Sequence, residues 1–73
     1  MQFQTKNTLY TLTQDGNGDY LISGHPTYCP FPVKCEFKVF PAVGERFICT
    51  THDSRLHPHD RFFRTTPVVK VIP

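Results

Sequence analysis

Nowhere in this chain do apolar residues recur at i, i+3, i+4 and i+7 over ten or more positions, and seven prolines and four glycines interrupt it at intervals shorter than a helix needs. The pattern predicts an all-β protein. At 73 residues, with 38% hydrophobic and 19% charged residues and a formal net charge of +2, the composition is that of a folded chain rather than a disordered one. The length admits one small domain, residues 1–73, and a domain of that size buries only roughly 60% of the surface its unfolded chain exposes.

Turn signals divide the chain into short strands. A first strand is expected from about Phe3 to Thr13, ending in Asp15-Gly16-Asn17-Gly18-Asp19, where two turn-forming dipeptides follow each other. These five residues match the first half of a calcium loop. Tyr20 and Pro26 stand where that loop needs its glycine and its bidentate glutamate, so the segment reads as a hairpin turn. The return strand, Tyr20 to Ser23, is cut short by Gly24 and Pro26, and Pro26, Pro30 and Pro32 make Gly24 to Pro32 an extended loop.

From Val33 the alternation is clean: Val33, Cys35, Phe37 and Val39 face one way, and Lys34, Glu36 and Lys38 the other. Phe40 to Gly44 forms the next turn, and Phe47, Cys49 and Thr51 then alternate with Arg46, Ile48 and Thr50. Residues His52 to Asp60 are polar, and Arg61 to Ile72 supplies one or two more strands with Pro67 at an edge or a bulge. About five short antiparallel strands fit a small barrel or a curled sheet of SH3-like or OB-like size, since closure removes exposed edges.

Core residues must oppose core residues, so paired positions in the second hairpin sum to an even number. A sum of 84 sets Val39 against Glu45, Phe37 against Phe47 and Cys35 against Cys49, around a five-residue loop. Cys29 and His52 then lie toward the same end, giving a Cys29, Cys35, Cys49 and His52 set of the kind a structural zinc takes. The competing reading makes the cysteines small core hydrophobes, with no cofactor, and the wider five-residue gap between Cys29 and Cys35 favours it. The odd count of three cysteines argues against a closed disulfide framework, leaving a Cys35–Cys49 disulfide as a third and less favoured reading, and the N-terminal residues lack a basic stretch followed by an apolar one. A reducing, cytoplasmic setting without a membrane segment is expected.

The acids are scattered, and no nucleophile motif or phosphate-binding glycine loop is present, so a non-catalytic role is expected. A small histidine-dependent enzyme built on His52, His57 and His59 is the remaining catalytic alternative. Residues 1–45 carry three lysines against four acids, a net of −1; residues 46–73 carry five cationic residues against two acids, a net of +3. The basic part holds Arg46, Arg55, Arg61, Phe62, Phe63 and Arg64. Guanidinium groups beside aromatic rings suit a surface that binds a protein or a nucleic acid. Of the adjacent rings Phe62 and Phe63, one must face the core. A chain with so small a core can also complete its burial by forming a homodimer through an edge strand near Pro67.

Overall fold

The computed structural model describes residues 1–73 and is all-β, with seven antiparallel strands in one sheet. In chain order these are β1 (Gln2–Gln4), β2 (Leu9–Gln14), β3 (Tyr20–Ser23), β4 (Val33–Glu36), β5 (Arg46–His52), β6 (Asp60–Pro67) and β7 (Lys70–Ile72). Their order across the sheet is β6-β5-β4-β3-β2-β1-β7. No helix is long and apolar enough to cross a membrane.

A single sheet without helices can bury its apolar face only against itself, and this one rolls up. Phe3 on β1 and Phe47 on β5 are four strands apart, about 19 Å across a flat sheet, yet their ring centroids are 4.9 Å apart. Tyr10 on β2 approaches Phe63 on β6, also four strands away, to 6.4 Å. The interior of the roll holds 11 buried hydrophobic residues, among them Phe3, Leu12, Ile22, Val33 and Phe47. The Gly24–Pro32 loop covers one side, with Cys29 fully buried and Tyr28 stacked on Phe63 at 4.9 Å.

The roll is not closed into a barrel. Its two outermost strands, β6 and β7, are joined through Val68 and Val69, whose successive amides bond to opposite margins: Val68 N–H to the Glu45 carbonyl and Val69 N–H to that of Gln4. The margins meet at that corner, and no ladder joins β6 to β7 elsewhere.

The expected count of five strands becomes seven for two local reasons. The long first strand is two, because Thr5 N–H bonds to the Thr8 carbonyl and folds Lys6 and Asn7 into a turn that contains neither glycine nor proline. At the other end, the last stretch divides into β6 and β7 at Val68 and Val69. The Asp15–Asp19 segment is the expected turn: the Asp15 carboxylate accepts the backbone N–H groups of Asn17 and Asp19.

The second hairpin is corrected in register. Cys35 pairs with Thr51, not Cys49, and Cys49 pairs with Phe63 on β6. The paired sum is 86, a slip of two residues, which leaves every side chain on its expected face and so is invisible to alternation. β4 ends at Glu36, and the connection is the nine-residue segment 37–45. Val39, expected in the core, is 67% exposed on that segment.

Candidate binding cleft

The outward-facing residues of β5 and β6 form two rows across the strand pair. Ile48 lies opposite Arg64, and Thr50 opposite Phe62. Alternation puts all four outside because their neighbours Phe47, Cys49, Phe63 and Thr65 are buried in the roll. Ile48 is 48% exposed and Phe62 is 65% exposed.

The 37–45 segment turns these rows into a cleft. Its position is set by aromatic contacts: the Phe37 ring lies 5.0 Å from Tyr20, 5.1 Å from Phe40 and 5.2 Å from Phe47, which ties the segment to the core. Val39, Phe40, Ile48 and Phe62 line the resulting concavity of about 630 Å³. Lys38 and Arg46 also line it, balanced by Glu36 and Glu45.

The residues expected to form one basic and aromatic surface are divided among three places. Arg46, Phe62 and Arg64 share the outer face. Phe63 is the core member of its pair, at 5% exposure. Arg55 and Arg61 serve the loops instead. The Arg55 guanidinium sits 4.0 Å over the Phe31 ring and binds the Asp53 carboxylate and the Pro32 carbonyl; that of Arg61 lies 5.4 Å over Tyr28 and donates to the His57 carbonyl. Arg55 also holds the Asp53 carboxyl well down, at about 2.

The expected zinc ligands do not converge. Cys29, Cys35 and Cys49 are buried free thiols inside the roll, whereas His52 follows the inward Thr51 and stands on the outer face. No three of the chain's His, Cys, Asp and Glu side chains are placed to hold a metal ion. Burial pushes the Cys35 thiol up to about 12, reinforced by the nearby Cys29, and pushes Cys49 and Cys29 upward as well. These thiols are protonated and packed.

His52 Nδ1 lies 2.8 Å from Asp60 Oδ1, and its Nε2, which has no hydrogen-bond partner, lies 3.6 Å from Glu36 Oε2. Hydrogen bonding to Asp60, with Glu36 adding to it, raises the imidazole pKa. The His57 and His59 rings are 5.6 Å apart in the exposed connection between β5 and β6. In an extended segment residues two apart would not converge, and the bends across 56–59 bring the two rings together.

Sequence reasoning missed the cleft itself. Its one legible sign is Ile48, an isoleucine at an outward position between Arg46 and Thr50. Compared with protein-family models, curated proteins and solved structures, the chain matches none.

Proposed function

We propose that this chain is a non-catalytic binding module that takes an extended, apolar segment of a partner protein into the cleft between the outer face of β5 and β6 and the 37–45 segment. The observation that carries this reading is the gathering of Val39, Phe40, Ile48 and Phe62, all well exposed, around one concavity. Isolated exposed apolar residues are ordinary, but a contiguous set in a concave site is the usual form of a recognition surface. The charges argue for a protein. Lys38 and Arg46 are offset by Glu36 and Glu45 within the cleft, whereas a nucleic-acid surface concentrates positive charge to meet phosphates.

The test is a titration followed by the backbone amide resonances of Ile48, Thr50 and Phe62. The probes are extended peptides with Val and Phe at alternate positions and a mixed-sequence single-stranded oligonucleotide, each at about 50 and about 200 mM salt. The reading expects shifts at these three residues with a peptide, little changed by salt. Shifts with the oligonucleotide alone, lost at the higher salt, transfer the surface to nucleic acid through Arg46, Phe62 and Arg64. Silence at these residues with every probe removes the cleft as a binding site.

A further inference from the structure

Strand β6 is an edge of the sheet, and its backbone is open along the outer side. Which residues face outward follows from three hydrogen bonds. The His59 carbonyl accepts Asp53 N–H, the Arg61 carbonyl accepts the Thr51 hydroxyl, and the Thr65 carbonyl accepts the Arg46 guanidinium, so from His59 to Thr65, before the register irregularity near Pro67, the odd-numbered residues turn their backbone toward β5. In an antiparallel ladder alternate residues bond to opposite sides. Asp60, Phe62 and Arg64 therefore turn their N–H and C=O groups to the free edge, and no backbone hydrogen bond from any loop reaches them.

Natural edges are usually protected by charge, proline or bulges. Here Pro67 blocks one end, but the open stretch carries charges of opposite sign spaced symmetrically about an aromatic residue: Asp60, Phe62, Arg64. That arrangement is complementary to itself when reversed. We infer that a second copy of this chain pairs antiparallel along β6, with Phe62 opposite Phe62 of the other copy and Asp60 opposite its Arg64, twice over, about a two-fold axis. Such a pair is isologous and closed, the commonest form of a homo-oligomer.

The register is singled out by elimination. Outward residues must pair with outward residues, so paired numbers sum to an even value. A sum of 124 gives the aromatic pair and both ion pairs. At 122, Asp60 faces Phe62; at 126, Arg64 faces Phe62; at 120 and 128, Asp60 meets Asp60 or Arg64 meets Arg64. Opposite charges and aromatic pairs stabilise directly opposed positions, and like charges there destabilise them. The pairing joins the two sheets edge to edge and places the two clefts side by side across the axis. It rests on the edge of β6 and not on what the clefts take, so sedimentation reports on the pairing, while the Ile48 and Thr50 amides, which lie on β5 away from that edge, report on the cleft.

The experiment is sedimentation equilibrium at neutral pH and up to about 1 mM protein, a range that captures weak association. The wild-type chain should reach twice its 8.4 kDa mass. Asp60→Arg and Arg64→Asp each set like charges opposite one another in the homodimer, and each should weaken self-association roughly tenfold or more. Mixed in equal amounts, the two variants should form a heterodimer at least as tight as the wild type, since every opposed pair is then complementary. Recovery in the mixture also shows that both variants fold. A wild type that stays at 8.4 kDa throughout, self-association that neither substitution weakens, or a mixture that fails to recover would each overturn the inference.

Discussion

Gly24, at φ +124°, passes so close to the backbone of Leu9 that a Cβ there would run into the Leu9 carbonyl oxygen and come within 3.1 Å of Tyr10 Cα. Both obstacles are backbone atoms of β2 and cannot swing aside. The position also marks where the chain leaves β3 for the loop that covers the core.

Gly24→Ala therefore combines a left-handed backbone strain with a main-chain clash, and should cost about 2–4 kcal/mol. A fold of this size rarely has more than about 3–5 kcal/mol to lose, so the variant is expected to be largely unfolded in a thermal or urea melt. Gly16→Ala, with nothing within 4 Å and no positive φ, serves as the comparison and should melt at or slightly above the wild type. Equal melting of Gly24→Ala and Gly16→Ala would contradict the close approach.

How far the sequence reveals this fold depends on which contacts are local. The all-β class, the Asp15–Asp19 turn and the inward faces of β4 and β5 rest on turn chemistry and alternation, which neighbouring residues carry. The Cys35–Thr51 register is not readable that way, because a slip of two keeps each face intact. The Gly24–Pro32 segment is a loop but not the extended one expected, since it doubles back between His25 and Cys29, which bridge. His52 was legible and misplaced: with Phe47, Cys49 and Thr51 inside, the next residue falls outside, so the zinc set asked for ligands from both faces. The cleft depends on where the 37–45 segment folds back, and the Tyr20, Phe37 and Phe47 rings that decide it come from three different parts of the chain.

Phe62 and Phe63 are neighbours with opposite consequences. Phe63 packs under Tyr28 and near Tyr10, so Phe63→Ala should cost about 3–5 kcal/mol and remove the cooperative unfolding transition. Phe62 projects outward, and Phe62→Ala in the dilute chain should shift stability by no more than about 0.5 kcal/mol. Urea melts of the two variants at low protein concentration measure both. Similar losses would mean that β6 does not present alternate faces.

The three thiols offer a direct reading of core integrity. All are buried and protonated, and thiolate is the reactive form, so a thiol reagent at neutral pH should label the native chain slowly. In denaturant, three equivalents should react at once. Labelling in the native state should follow the population of opened molecules, so it should accelerate in Gly24→Ala. Fast labelling of one cysteine in the stable wild type would place that side chain outside the roll.

The imidazole of His52 makes stability depend weakly on pH. Its folded pKa is raised, first by the hydrogen bond to Asp60 and then by Glu36, above the ordinary value near 6.5. A raised folded pKa means that the folded state binds the proton more tightly than the unfolded chain does. The contribution is complete below about pH 6.5 and is lost as pH rises through the folded value. The ring is 38% exposed and both carboxylates are largely so, which limits the effect to under about 1 kcal/mol. Melting temperature should therefore fall slightly between about pH 6 and pH 8 in the wild type and less in His52→Gln. The Asp53 carboxyl, held at about 2 by Arg55, stays ionised across that range and adds no slope of its own. If His52→Gln keeps the wild-type slope, the pairing with Asp60 contributes nothing to the folded state.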